Sequence, residues 1–142
     1  YPDKISKNKI NLKPALSWHT KIIQVKDVSS GTKVGYGGTY QTKITTKIAI
    51  IPVGYWDGYD RKLSNRGYVL IQGKRCPIIG RICMNLTMVN VNGLNPKEGD
   101  KVTLIGKNGN KYIGADQLAE WCNTINYEIV DRINPLLPRF YR

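Results

Sequence analysis

Four short stretches of the 142-residue chain gather the side chains best suited to chemistry. The first is Val34-Gly35-Tyr36-Gly37-Gly38-Thr39-Tyr40. Its three glycines within four residues either turn the backbone tightly or let it come close to a ligand, and Tyr40 stands at the end of the loop. The second, Gly54-Tyr55-Trp56-Asp57-Gly58-Tyr59, follows an apolar run and sets aromatic rings where loops tend to carry function. Those rings line a pocket or plug one end of the fold. The third is Gly80-Arg81-Ile82-Cys83-Met84-Asn85, and the fourth is Ile125-Asn126-Tyr127-Glu128. Read singly, Met84 is core filler and Tyr127 packs a helix end. It is the order and spacing of all four that mark them.

Other chemistry is excluded by scarcity. The chain has one histidine, His19, and three cysteines, Cys76, Cys83 and Cys122, with no CxxC spacing. That set argues against a zinc site or any metal triad. One histidine without a nucleophile motif also leaves no basis for a Ser/His/Asp or Cys/His triad. The cysteines read as buried, reduced thiols of a cytoplasmic protein. Hydrophobic residues at 41% and charged residues at 23% suit a soluble domain. No apolar run approaches the ~20 residues of a membrane-spanning helix. The polar start, Tyr1-Pro2-Asp3-Lys4, is unlike a signal peptide and lacks an initiator Met, as expected of a piece of a longer polypeptide.

The net charge of +12 opens a competing reading, a basic β-module that binds nucleic acid. The charge gathers early. Lys4, Lys7, Lys9, Lys13, Lys21, Lys26, Lys33, Lys43 and Lys47 face only Asp3 and Asp27. Lysine dominates over arginine there, and the aromatic residues gather in glycine-rich loops instead of interleaving with basic residues on strands. A solvated surface and no nucleic-acid partner are expected.

The elements that position these stretches are mostly strands. Ile23, Val25 and Val28 sit among polar partners in a β-branched stretch that Ser29-Ser30-Gly31 breaks. Ile48 to Val53 is apolar on both faces, as in a fully buried strand. Tyr68–Ile71 and Arg75–Ile79 flank Gln72-Gly73-Lys74 as a hairpin. Ile82 to Val91 alternates and then slips phase at Val89, which predicts a bulged strand. Val102 and Leu104 mark another strand, with a second hairpin turn at Lys107-Asn108-Gly109-Asn110. Leu118, Trp121, Cys122 and Ile125 recur at helical spacing, with Gly114 as N-cap, Asp116 in the first turn, and Asn123 or Asn126 to end the helix. Short strands, glycine turns and one short helix near the C-terminus predict a mainly β fold, a closed or nearly closed β-barrel.

In this order and at these spacings the four stretches resemble the alanine racemases. The resemblance runs from about Pro14 to Arg142. It takes in Ala15-Leu16-Ser17-Trp18, Ser64-Asn65, Gly99-Asp100, Ala115-Asp116 and Pro138-Arg139-Phe140-Tyr141. It implies that residues 15–142 are a C-terminal β-domain and that residues 1–14 link it to a missing N-terminal (β/α)₈ barrel. It also implies a bacterial, cytoplasmic enzyme that uses pyridoxal 5'-phosphate, held covalently by a lysine of that missing domain, to interconvert L- and D-alanine. Inverting an α-carbon needs an acid/base group on each face of the substrate while the cofactor acts as electron sink. One group is the cofactor lysine. Tyr40 resembles the other, and a tyrosine, with an ordinary pKa near ~10, needs cationic neighbours for that work. Met84 resembles the family's substrate-contacting methionine, Tyr59 the substrate-side tyrosine of its access corridor, and Tyr127 the tyrosine that hydrogen-bonds the cofactor phosphate. In the family the Tyr40-like and Met84-like residues reach into the neighbouring subunit's site, which implies a homodimer. Three positions depart from the pattern. Asn85 stands where Asp is usual, Trp56 replaces a small residue, and His19 takes a position where Lys or another residue is common. Asn85 and Trp56 leave a serine racemase of the same family as the alternative.

Overall fold

The computed structural model describes residues 12–141. Most of the first linker thus lies outside the described residues, and 12–17 are exposed, irregular chain. The strands are β1 (Trp18–Lys21), β2 (Gln24–Val28), β3 (Lys33–Val34), β4 (Tyr40–Gln41), β5 (Thr46–Ile51), β6 (Tyr68–Ile71), β7 (Lys74–Pro77), β8 (Thr87–Asn90), β9 (Lys101–Asn108) and β10 (Lys111–Ile113). Two helices close the chain, α1 (Ala115–Cys122) and α2 (Asn126–Asp131).

The fold is mainly β, but no sheet among the described residues closes into the expected barrel. One sheet runs β1-β9-β6-β7 with β10 hairpinned onto β9, a second runs β2-β5-β8, and β3-β4 form a third, all antiparallel. The larger two meet at an isolated bridge, Ile78 to Val89, and at the corner Ile22–Ile23, whose amides reach Asp100 and Ile50. The chemistry of the chain explains the interruption. Pro77 at the end of β7 has no N–H to give, and Gly80, at φ 77°, leaves the extended region, so contact with the second sheet is limited to the Ile78–Val89 bridge and the Ile79 amide, which donates to the Met88 carbonyl.

Hydrophobic alternation and turn residues account for the rest. β5 is buried on both faces, and Ile51, Val69, Leu70, Val89 and Leu104 build one core with Leu118 and Cys122 of α1. The β6–β7 hairpin turns on two residues, Gln72 and Gly73, both at positive φ, so Lys74 pairs with Ile71 instead of lying in the turn. α1 starts after Gly114 and ends at Asn123 in the left-handed conformation. Ile125, counted in its apolar stripe, lies beyond the helix and is 60% exposed. The second helix was not anticipated. The expected strand over Ile82–Val91 shortens to β8, and residues 80–86 form a loop whose backbone groups find partners elsewhere. The lone histidine is structural: His19 Nδ1 lies 3.1 Å from Thr103 Oγ1 across β1 and β9. All three cysteines are free thiols, with Cys76 and Cys122 buried and Cys83 partly exposed.

Candidate functional site

Tyr40 is placed by β3 and β4, where it pairs with Val34 and rests half-buried on the small cluster Val34, Ile48 and Ile79. Between those strands a 3₁₀ turn, Tyr36–Gly38, carries the glycines. Gly35, at φ 77°, is pressed against the third stretch, where a Cβ would stand 2.7 Å from the Arg81 amide nitrogen. The fit is reciprocal, because a Cβ on Gly80 would stand 2.6 Å from the Val34 carbonyl oxygen. These two glycines let the Tyr40 loop and the Met84 loop touch backbone to backbone.

The second stretch docks on the third in the same way. The Tyr55 amide donates to the Cys83 carbonyl at 3.1 Å and the Trp56 amide to the Met84 carbonyl at 2.9 Å. Gly54 faces both carbonyls so closely that no side chain fits there. The Asp57 carboxylate accepts from the Gly54 amide at 2.9 Å and steadies the turn. Together Tyr36, Tyr55, Arg61, Ile82, Cys83, Met84 and Asn85 line a recess of about 560 Å³. Met84 is 51% exposed there, so it is not core filler. Arg61 lines the recess, and the Arg81 guanidinium lies against Gly37 in the loop that leads to Tyr40.

Tyr59 does not reach this recess. It is 0% exposed, edge-on to Trp18 with ring centroids 5.7 Å apart, and its hydroxyl is buried without a hydrogen-bond partner. Burial pushes its pKa well above the ordinary tyrosine range, with Cys122 adding to the shift. A ring in that position is core, and the corridor assignment is corrected on that ground. Tyr55, 49% exposed and lining the recess, is the tyrosine of this stretch that faces solvent.

Tyr127 stands apart from Met84, and neither Tyr127 nor Tyr40 is among the side chains that line the Met84 recess. It lies on α2, 60% exposed, in a larger groove of about 890 Å³ that it shares with Leu12, Leu16, Tyr112, Asp116 and Asp131. The two recesses share no lining residue. α2 is tied back to the second stretch through the chain that follows it. The Asn134 amide donates to the Asp57 carbonyl, and Arg132 pairs with Asp60 at 3.3 Å.

These features define a mainly β domain with two separate recesses, one lined by Tyr55 and Met84 from its loops and one by Tyr127 from α2, and with no cluster of metal-ligating side chains among the described residues. The chain belongs to the family described as "Alanine racemase, C-terminal domain", which residues 15–141 match. It is 48% identical over 136 residues to the alanine racemase of Halothermothrix orenii, an alignment covering 95% of this chain and 36% of that protein. Against the alanine racemase of Desulfosudis oleivorans it is 45% identical over 143 residues, 99% of this chain and 37% of that one. Among solved structures, alanine racemase from Bacillus anthracis with bound L-Ala-P superposes with a TM-score of 0.90 at 41% identity, over 94% of this chain and 35% of that one. Alanine racemase from Bartonella henselae with covalently bound pyridoxal phosphate gives 0.83 at 31% identity, over 89% and 34%. The chain thus spans about a third of the length of the curated relatives it matches.

Proposed function

We propose that this chain is the C-terminal domain of an alanine racemase that interconverts L- and D-alanine, and that it supplies one proton-exchanging phenol and part of the substrate and cofactor contacts. The observation that carries the reading is the backbone-to-backbone packing of the Tyr40 loop on the Met84 loop, within a chain that matches the family over residues 15–141. Pyridoxal phosphate, when bound, supplies the electron sink that makes the substrate's α-proton removable. The Tyr40 hydroxyl gives and takes that proton on one face, and Met84 and Tyr55 bound the space in which the substrate sits. The guanidinium of Arg61, which lines the recess, attracts the substrate carboxylate. Tyr127 offers an exposed phenolic donor for a phosphate oxygen, which fits the cofactor at one contact. Asp116, Glu128 and Asp131 line the same groove and disfavour an anion, so the remaining phosphate anchors belong to other parts of the protein.

The cofactor lysine, which is also the second acid/base group, and its (β/α)₈ barrel belong to an N-terminal domain that residues 1–14 link to residues 15–142. Because Met84 and Tyr127 line different recesses, one chain serves two sites, as a homodimer with sites shared between subunits requires. Alanine is favoured over serine because every relative and structure reported above is an alanine racemase. We place the enzyme in the bacterial cytoplasm.

The test is Tyr40→Phe in the full-length protein. The ring keeps its packing, so fold and cofactor content are retained, while racemisation falls by roughly 10²–10⁴-fold, the usual contribution of a positioned acid/base group. The loss is lopsided: α-proton exchange with solvent persists from D-alanine and nearly vanishes from L-alanine. Tyr36→Phe in the same loop changes little. If the two substitutions behave alike, or if Tyr40→Phe unfolds the protein, Tyr40 is a packing residue.

A further inference from the structure

Asn65 is 15 residues from Gly80 in sequence and 26 from Thr39, yet its side-chain amide touches both. The Gly80 amide donates to Asn65 Oδ1 at 2.6 Å, and Asn65 Nδ2 donates to Thr39 Oγ1 at 3.3 Å. Thr39 is the neighbour of Tyr40, and Gly80 opens the loop that carries Met84. Asn65 itself holds φ 57°, a left-handed conformation that Asn adopts more readily than most residues. The adjacent Ser64 strengthens the same joint, since its hydroxyl accepts from the Ile82 amide at 3.0 Å and donates to the Arg61 carbonyl. The loops have few ladder bonds of their own. β3 and β4 are two residues each, and 80–86 belong to no strand. Their relative placement is held by the Gly35–Gly80 contact, by the packing of Val34 and Tyr40 with Ile79, and by this amide.

We infer that Asn65 is a positioning residue for the racemase, a bolt whose side-chain amide fixes the Tyr40 loop against the Met84 loop. This rests on Tyr40 being the phenolic base proposed above. The amide never meets substrate. It acts by holding the Tyr40 hydroxyl at a set place relative to the Met84 surface. Misplacing a reacting group by about 1 Å costs on the order of 10²-fold in rate.

The experiment compares Asn65→Gly with Asn123→Gly in the full-length holoenzyme. Both positions are left-handed asparagines, at φ 57° and 53°, so glycine suits both backbones, but Asn123 caps α1 and contacts neither loop. Hydrogen exchange is followed on peptides covering 33–42 and 79–86, and α-proton exchange is measured from each alanine enantiomer. In N65G we expect faster amide exchange in both peptides and a roughly 10- to 100-fold loss on the L-alanine side, with the D-alanine side close to wild type. N123G leaves all of these at wild-type values. Asn65→Asp keeps an acceptor for Gly80 and for the Thr39 hydroxyl, and restores most of the L-side rate. The inference is overturned if N65G and N123G are indistinguishable in exchange, or if N65G slows both enantiomers equally. If Tyr40→Phe is itself symmetric while N65G still loosens both peptides, the base assignment fails and the bolt stands as a structural joint only. Should N65G not fold, Thr39→Val removes one anchor at an exposed position. It should loosen 33–42 and leave 79–86 unchanged, and protection of 33–42 in T39V would equally overturn the bolt.

Discussion

Tyr59→Phe isolates the residue on which sequence and structure part most sharply. The substitution deletes one oxygen from a ring that is 0% exposed and whose hydroxyl has no partner. A buried, unsatisfied hydroxyl costs about 1–3 kcal/mol, whereas the edge-on contact with Trp18 at 5.7 Å and 88° survives the change intact. Against the gain stands the loss of a few dispersion contacts around the vanished oxygen, each about 0.1–0.2 kcal/mol. The net is a stabilisation of about 1 kcal/mol, or about 3–5 °C in Tm for a chain of this size. Urea unfolding and thermal melts of the chain read it directly, with an unchanged m-value showing that the unfolded state has not moved. In the full-length enzyme the KM for alanine stays where it was, while Tyr55→Phe, at the lining of the recess, raises it. A loss of 1 kcal/mol or more in Tyr59→Phe would mean the hydroxyl is hydrogen-bonded in solution. A raised KM with unaltered stability would return Tyr59 to the substrate corridor and refute the burial reasoning.

Two further outcomes follow from the geometry. Tyr127→Phe in the full-length protein should weaken pyridoxal phosphate binding by about tenfold, the value of one hydrogen bond to a charged group. A cofactor titration reads this, and an unchanged Kd would remove Tyr127 from the phosphate. The second outcome concerns alkaline pH. Burial pushes the Cys76 thiol from 9.0 to about 11, and burial together with Asp60 does the same for Cys122. Their folded pKa values are raised, so stability is full below pH 9 and is lost as pH rises towards 11, because only the unfolded chain releases these protons. Each thiol contributes a slope of up to about 1.4 kcal/mol per pH unit in that window. Urea midpoints across it should fall for the wild type and fall less steeply for Cys76→Ala, and equal slopes would show that Cys76 is not protected.

The hairpins and the first helix were legible where a local signal had no competitor. Gln72-Gly73 and Gly109 turn hairpins because few residues accept positive φ, and the apolar stripe of α1 is long enough for its period to show. α2 escaped because six residues span less than two turns and Ile125, its N-cap, offers no side-chain acceptor. Residues 82–86 read as strand because Ile82, Met84, Leu86 and Met88 alternate. Alternation describes side chains, however, and a strand also needs a ladder. Here the backbone groups of Ile82, Cys83 and Met84 go instead to Ser64, Leu86, Tyr55 and Trp56. The barrel failed for a similar reason, since the sequence shows strands but not which edges find each other. A proline and a left-handed glycine at one seam were enough to part the sheets.

The contrast between Tyr55 and Tyr59 shows why a motif can be legible while the exposure of its side chains is not. Both are tyrosines of one glycine-flanked turn, four positions apart, and nothing in residue type separates them. What separates them is long-range. Gly54 lies hard against the Cys83 and Met84 carbonyls, which fixes the start of the turn on the Met84 loop and leaves Tyr55 at the rim of the recess. At the other end, Gly58 lies equally close to the Arg132 carbonyl and the Asn134 amide reaches Asp57, so the turn is clamped from the C-terminal side and Tyr59 is carried down onto Trp18. Both clamps join residues far apart in the chain, about 30 and 75 positions, beyond the reach of any local pattern. The glycines were visible in the sequence as turn formers. Their second use, as places where two backbones meet, becomes visible only once the partner backbone is in view, and that use decides which phenol faces the recess and which is buried.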